Sequence, residues 1–332
     1  MRTTLVYSDR LTSYDFGFSH PLRPERFVES VRLMRTLRLL DDGGIRVVEP
    51  APASEQDLLR VHDPDYVSVV KAAGRDPERF MPRRGIGPGD NPAFPDMHEA
   101  ASLVAGAAIT AFDEVLSGHA DRSLSIAGGL HHAHRDQAAG FCIYNDVAVG
   151  IAWALERDPR LRVAYVDIDA HHGDGVQEAF WDDPRVLTAS IHESGRFLFP
   201  GTGSERETGG PHAPGTAVNV PLEPYASDSD FLHGLEERLI PAVRAFAPDL
   251  LVTQNGADAL APDPLTHLAL TLHGYHALVS RLAALSCEVC GGRMVAFGGG
   301  GYAWESVVPR AWTVLAYTLL EREVPPELLA EH

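Results

Sequence analysis

Five ionisable side chains lie within eight residues of the stretch LRVAYVDIDAHHGDG, positions 161–175. They are three carboxylates and two imidazoles: Asp167, Asp169, His171, His172 and Asp174. Side chains two residues apart on extended chain point the same way, so Asp169 and His171 can reach one point. One carboxylate and one imidazole placed in this way suit a borderline metal ion such as zinc. Asp167 and Asp174 are then free to orient imidazoles and raise their basicity.

A buried strand leads into this cluster. Arg162 to Ile168 is apolar, rich in β-branched residues and too short for a stable helix, which predicts a strand of a parallel sheet. Open α/β sheets keep their ligand crevices at the carboxyl ends of strands. A capping or turn cluster is the alternative, because acids and glycines also favour turns. Turn chemistry needs neither a second histidine nor an apolar strand before it, so we favour an active site.

Three further predicted strands run into residues of the same kind. Ser123–Ala127 is followed by His131 and His132, and Asp249–Thr253 is followed by Asp258. Arg293–Phe297 is followed by four glycines and Tyr302. The two adjacent histidines have a simpler interpretation as neutral core side chains. Right-handed crossovers in an open parallel sheet would, however, bring all four strand ends to one crevice.

Asp169, His171 and Asp258 then provide three protein ligands for a single ion. Three ligands with one position left for water are typical of a catalytic zinc site, whereas structural zinc sites are closed by four.

Composition limits the classes of partner. The 332 residues are 45% apolar and carry a formal charge of −18, which argues against nucleic acid and anionic membranes as partners. The longest run of small apolar residues, 100–112, is too short to span a bilayer. Three cysteines cannot build a disulfide framework, and the first residues lead into a predicted strand rather than a signal peptide, so we expect a cytoplasmic protein. We interpret Cys287 and Cys290, a lone CxxC pair, as structural thiols.

Strands and amphipathic helices alternate along the chain, which predicts an α/β fold and a single domain over residues 1–332. The longer predicted helices are Met97–Leu116, Val147–Glu156, Phe231–Phe246, Leu268–Leu285 and Trp304–Leu320. Residues 81–95 hold four prolines and three glycines, so we expect a loop there, either functional or simply solvated.

Seven motifs carry a resemblance, and they occur in the order GGLHHA, GFCIYND, VDIDAHHGDGVQEAF, FPGTG, NGAD, DPL and GGGGY. Together they resemble the zinc-dependent histone deacetylase superfamily, especially its bacterial acetoin-utilisation-type deacetylases. The matching region runs from HPLRPER near residue 20 to Tyr302. The resemblance implies an arginase/deacetylase fold, with an open, doubly wound, mostly parallel sheet flanked by helices.

The resemblance also implies an activity. It is hydrolysis of N-acetyl-lysine in a protein or peptide, with release of acetate, by an enzyme that uses zinc or iron(II). An acetylated acyl-CoA synthetase is the partner that the family indicates.

Catalytic roles follow from the resemblance and agree with the chemistry of the residues. His132, oriented by Asp174, would act as general base and then as general acid. His131 with Asp167 would stabilise charge as a second imidazole. Tyr302 would donate a hydrogen bond to the developing oxyanion.

Further sites are implied by the resemblance alone. The substrate would be bound by tube walls, rim residues and the glycine loop: Gly140, Phe141, Phe199, Asp90, Leu265 and Gly300. An internal channel for acetate would be formed by Arg26, Gly299 and Gly301. A monovalent cation, expected to be potassium, would be held beside the zinc by Asp167, Asp169, His171, Ser190 and Ile191.

Three other functions stay open at this point. An arginase-like ureohydrolase needs further ligands for a second metal ion, whereas this sequence has tandem histidines and GGGGY instead. A protein that binds acetyl groups without cleaving them would not need every catalytic position filled. An acetylpolyamine or small-amide deacetylase would share the chemistry, but such relatives tend to carry an acid where this chain has Leu265.

Overall fold

A computed structural model describes residues 1–41 and 44–330, and the main feature of the fold is one eight-stranded sheet. In chain order the strands are β1 (Thr3–Val6), β2 (Arg46–Val48), β3 (Arg122–Ser125), β4 (Val163–Asp167), β5 (Val186–Glu193), β6 (Ala217–Leu222), β7 (Leu250–Gln254) and β8 (Met294–Phe297). All neighbouring strands are parallel, in the spatial order β2-β1-β3-β8-β7-β4-β5-β6. The prediction of an open α/β sheet is therefore confirmed, and the sheet is wholly rather than mostly parallel.

Helices connect the strands. They are α1 (Glu25–Thr36), α2 (Glu55–Leu58), α3 (Pro64–Arg75), α4 (Met97–Leu116), α5 (Asp146–Arg157), α6 (Asp174–Ala179), α7 (Asp228–Gly234), α8 (Ile240–Phe246), α9 (Leu272–Cys290), α10 (Val307–Leu319) and α11 (Pro326–Leu329). A π-helical turn, Leu235–Leu239, joins α7 to α8, and a 3₁₀ turn, Asp9–Ser13, follows β1. Every residue of β3, β4, β5, β7 and β8 is buried, so helices and loops cover both faces of the central sheet.

The strand order explains why the reactive residues meet. β3, β8, β7 and β4 are consecutive in the sheet, and they are the four strands that precede the tandem histidines, the glycine loop, Asp258 and the central acidic cluster. Since parallel strands end at the same edge, these four loops share one crevice, as predicted.

Three predicted helix starts are wrong. α7 begins at Asp228 rather than Phe231, because Ser227 precedes it as a cap whose N–H donates to the Asp230 carboxylate. α9 begins at Leu272 rather than Leu268, because the hydroxyl of Thr271 accepts the Gly274 N–H and caps the helix there. α10 begins at Val307 rather than Trp304. The short helix α11 was not among the predicted elements. Among residues 1–41 and 44–330, no helix has the length and apolar character needed to cross a membrane.

Candidate metal centre and active site

Three buried side chains converge at the carboxyl edge of the sheet. Asp169, His171 and Asp258 each offer one ligand atom, and these atoms lie within 4.8 Å of one another. His171 Nδ1 lies 2.9 Å from Asp258 Oδ2 and 3.3 Å from Asp169 Oδ1. The three residues predicted as metal ligands are thus brought together, from the loops after β4 and β7.

Backbone groups and glycines fix the two carboxylates. The Gly300 N–H donates to Asp169 Oδ2 over 2.6 Å, and the Ala170 N–H donates to Asp258 Oδ1 over 3.0 Å. A β-carbon on Gly300 would stand 1.9 Å from Asp258 Oδ2, so only glycine permits this approach. Two carboxylates and one imidazole held in this way fit a divalent ion of the zinc or iron(II) type.

The electrostatics of the cluster favour positive charge. Burial opposes a charge on His171, but hydrogen bonds and Coulomb attraction from Asp169 and Asp258 outweigh it and raise the pKa of His171 to about 10. Bound divalent metal would satisfy the same attraction, with His171 neutral as a ligand.

The tandem histidines lie beside the candidate metal ligands, and each pairs with its own aspartate. His131 Nδ1 lies 2.8 Å from Asp167 Oδ2, and His132 Nδ1 lies 2.7 Å from Asp174 Oδ1. The two ring centroids are 4.0 Å apart, so both imidazoles cannot easily carry a charge at once.

The two histidines differ in pKa. Burial works against the charge of His131, but Asp167 and Asp169 overcome it and raise its pKa to about 9. Burial and then the neighbouring charge of His131 lower the pKa of His132 to about 3. One imidazole is therefore disposed to be charged and the other neutral, a division typical of acid–base sites.

Residues of the GFCIYND motif hold the histidine loop, a role that was not predicted for them. Asp146, which is fully buried, accepts the N–H groups of Gly129 and Leu130. The Asn145 amide donates to the carbonyls of His131 and Ala133 over 3.2 and 3.0 Å. The feature of the sequence that could have indicated this role is the Asn-Asp pair directly after Tyr144, just before the predicted start of α5.

A third histidine was also missed. His134 Nε2 lies 3.3 Å from Asp174 Oδ2, so the Asp174 carboxylate sits between His134 and His132. His134 also pairs with Glu178, and hydrogen bonds to these two acids raise its pKa to about 10. The only feature of the sequence that could have indicated this contact is the position of His134, two residues after His132 in GGLHHAH.

Aromatic rings lie around the histidines and Tyr302, where the tube walls were expected. The Phe199 ring lies 4.9 Å from His132, and the Phe141 ring lies 5.7 Å from Tyr302, both edge-on. Gly140 lies between His132 and Phe199, with a positive φ of 50°. One cavity is lined by Gly140, Phe141 and Tyr302 together with His131 and His132.

The two residues predicted for the rim lie further out. Asp90 is exposed, and its carbonyl accepts a hydrogen bond from His20 Nε2 over 3.1 Å. Leu265 is half-buried, and its N–H donates to Asp263. Neither side chain lines the cavity described above.

Arg26 and part of the glycine loop also line this cavity. Arg26 is buried, and its Nη1 donates to the Gly299 carbonyl over 2.5 Å. The cavity is lined by Arg26 and Gly299, whereas Gly301 packs against Ala257 and Val308. Burial and then Asp258 and Asp169 raise the pKa of Tyr302 well above its usual value, so its phenol stays protonated.

Residues expected to hold a monovalent cation are adjacent, but two of their side chains also make hydrogen bonds within the protein. Asp167 and Ser190 are register partners on β4 and β5, and Ile191 follows Ser190. Asp167 Oδ1 accepts the Asp169 N–H over 3.0 Å, and Ser190 Oγ hydrogen bonds to His192 Nδ1 over 2.7 Å.

Comparison with known proteins identifies the class to which this fold and site belong. The family described as "Histone deacetylase domain" matches residues 20–319, so the chain belongs to that family.

Individual relatives show which members of the family the chain resembles. The chain is 42% identical to "Acetoin utilization protein AcuC" of Bacillus subtilis (strain 168), over 99% of this chain and 86% of that protein. It is 39% identical to the protein of the same name in Staphylococcus aureus (strain MRSA252), over 97% of this chain and 83% of the relative. A solved structure described as an HDAC homolog complexed with SAHA matches with a TM-score of 0.87 and 32% identity, over 99% of this chain and 88% of that one. The prediction of a bacterial acetoin-utilisation-type deacetylase is confirmed at the level of the family.

Proposed function

We propose that this protein hydrolyses N-acetyl-lysine in proteins or peptides, with one zinc ion, and releases acetate. The observation that carries the proposal is the position of the buried Asp169–His171–Asp258 cluster next to two His–Asp pairs. Metal ligands, an acid–base pair and a hydrogen-bond donor are what amide hydrolysis requires. Family membership supports deacetylation as the reaction.

Asp169, His171 and Asp258 would hold the ion. When bound, zinc supplies Lewis acidity toward the acetamide carbonyl and toward the attacking water. Iron(II) held by the same three residues would supply the same Lewis acidity.

His132 would move the proton. Its Nδ1 is occupied by Asp174, which leaves Nε2 to accept a proton from water and return it to the lysine nitrogen as the C–N bond breaks. Asp174 fixes the ring orientation, and the charged His131–Asp167 pair beside it would offset negative charge in the transition state.

Tyr302 would stabilise the oxyanion. Its phenol remains protonated and can therefore donate a hydrogen bond to the carbonyl oxygen on which charge develops. Gly140, Phe141 and Phe199 would surround the apolar methylenes of the acyl-lysine. Asp90 would accept backbone N–H groups of a peptide at the rim, beside Leu265, and Gly300 would lie next to the acetyl group.

Three further parts of the proposal concern what surrounds the reaction. Acetate would leave past Arg26, Gly299 and Gly301. Potassium beside the metal would be held by Asp167, Asp169, His171, Ser190 and Ile191. We propose an acetylated acyl-CoA synthetase as partner, in the cytoplasm, where the free thiols Cys142, Cys287 and Cys290 would persist.

A direct comparison of substrates tests the proposal. The zinc-loaded protein is assayed on an acetyl-lysine peptide and on acetylspermidine, each with and without a chelator. We expect a higher kcat/KM on the peptide, complete loss with chelator, and inhibition by SAHA, the compound bound in the solved relative. A preference for acetylspermidine would show that the substrates are acetylpolyamines rather than acetyl-lysine peptides. Binding without hydrolysis of either compound would contradict the proposal.

A further inference from the structure

Four consecutive glycines precede Tyr302, so the local backbone does little to fix this side chain. Glycine populates positive φ freely, and Gly299 and Gly301 do so here at 119° and 142°. An oxyanion donor must nevertheless be held within a fraction of an ångström of its working position. Contacts from other parts of the chain must therefore position Tyr302.

The contact at Tyr302 itself comes from Asp263. Its Oδ2 accepts the Tyr302 N–H over 2.7 Å, and its Oδ1 accepts the Leu265 N–H over 3.0 Å. The Asp263 side chain is buried, and its own N–H donates to the Leu260 carbonyl over 2.9 Å. Each carboxylate oxygen thus has a backbone donor, one from each of two different loops.

The loop that carries Asp263 also carries a proposed metal ligand. Asp258 lies five residues earlier in the β7–α9 connection, residues 255–271, and the Ala257 N–H donates to the Gly300 carbonyl over 2.8 Å. Asp263 and Ala257 therefore tie the glycine loop to the Asp258 loop at two points on either side of Gly301. These two ties, together with the Gly300 N–H bond to Asp169, set the distance between the metal centre and Tyr302.

We infer that Asp263 is a positioning residue, whose carboxylate holds the backbone of Tyr302 so that its phenol faces the Asp169–His171–Asp258 cluster. This inference rests on the proposed function. The same carboxylate also holds the Leu265 backbone, so it links the loop that carries Leu265 to the proposed oxyanion donor. Ring contact with Phe141 does not replace it, because an edge-on contact at 5.7 Å leaves the Tyr302 backbone free to turn.

The main variant is Asp263→Asn, which keeps the side-chain volume and one acceptor oxygen. The new amide group would point two donor hydrogens at one of the two N–H groups, so one tie is lost. A misplacement of about 1 Å can cost on the order of 100-fold in rate, and we expect kcat to fall about 10- to 100-fold with KM nearly unchanged. Asp228→Asn is the matched control, because Asp228 also accepts a backbone N–H and a second hydrogen bond, but both come from Thr271 rather than from the glycine loop.

A double-mutant cycle with Tyr302→Phe separates positioning from a general loss of structure. If Asp263 acts through the Tyr302 phenol, Asp263→Asn lowers kcat no further in the Tyr302→Phe background. Hydrogen–deuterium exchange of the peptide covering residues 298–306 gives a readout that needs no reaction. Exchange should be faster in Asp263→Asn and unchanged in Asp228→Asn, with equal metal content in all variants.

The outcomes distinguish the two proposals. Additive losses of kcat, or unchanged exchange at residues 298–306, in an active wild-type enzyme would overturn the positioning role alone. A metal-loaded wild-type protein that hydrolyses no acetylated amine would overturn the proposed function and this role together. Non-additive kcat with faster exchange supports the inference.

Discussion

Gly140 lies against His132 so closely that a β-carbon on Gly140 would stand 2.5 Å from Cδ2 of the imidazole. The same β-carbon would lie 2.8 Å from Cε1 of Phe199. The proposed base and one proposed wall of the substrate tube therefore leave room for hydrogen alone at this position.

Gly140→Ala tests this packing. We expect the methyl group to displace His132 or Phe199, so that kcat/KM on an acetyl-lysine peptide falls about 100-fold, as for other misplacements of about 1 Å. Gly118→Ala is the control, because Gly118 also has a positive φ, 74°, but a β-carbon there meets nothing within 4 Å. Both variants should lose about 1 kcal/mol of stability from backbone strain. Equal activities of the two variants would contradict the prediction.

Tyr302→Phe tests the oxyanion donor. Removing one such donor typically lowers kcat by about 10²- to 10³-fold, and we expect a loss of this size with unchanged metal content. Tyr7→Phe removes a phenol that donates to Asp9 outside the cavity, and it should leave kcat unchanged. Turnover near that of the wild type in Tyr302→Phe would remove the assignment.

Metal analysis tests the ligand set. We expect one divalent ion per chain, loss of activity on chelation, and recovery on adding zinc or iron(II). Asp258→Asn should lower metal affinity by at least about 10-fold, measured by competition with a chromogenic chelator. Two tightly bound ions per chain would instead favour the arginase-like alternative, with its two-metal chemistry.

His62 makes the stability of the protein depend on pH. Its Nε2 accepts the Asn145 N–H, and its Nδ1–H donates to the His134 carbonyl, both over 3.0 Å, so the neutral ring fits the site. Burial lowers the pKa of His62 from 6.5 to about 4. Because the unfolded chain binds the proton more tightly, the contribution of His62 is fully present above pH 6.5 and is lost as the pH falls toward 4.

Urea unfolding at pH 7 and pH 5 measures this effect. We expect His62 to account for about 2 kcal/mol of the stability lost between the two pH values. In His62→Gln the free energy of unfolding should differ less between pH 7 and pH 5, even if the variant is less stable than the wild type at pH 7. An identical pH dependence in both proteins would show that His62 is not the group responsible.

The convergence of the three proposed metal ligands was predictable, because their residue types are rare in such spacing and follow apolar strands. The tie between Asp263 and Tyr302 was not, since the residues are 39 positions apart and a carboxylate that accepts backbone N–H groups has no local pattern. Nor was the start of α9, where apolar residues continue on both sides of Thr271 and only its hydroxyl contact marks the boundary. Patterns along the chain predict elements and donor sets, whereas loop-to-loop hydrogen bonds depend on the packed structure.

The position of β8 has a consequence for biosynthesis. Of the eight described strands this one comes last along the chain, yet it inserts between β3 and β7 in the middle of the sheet. Until residues 294–297 have left the ribosome, two strand edges lack their partner, and such edges invite aggregation. We expect chaperones to protect the nascent chain at this stage, when the crevice that holds the proposed catalytic residues still lacks its glycine loop.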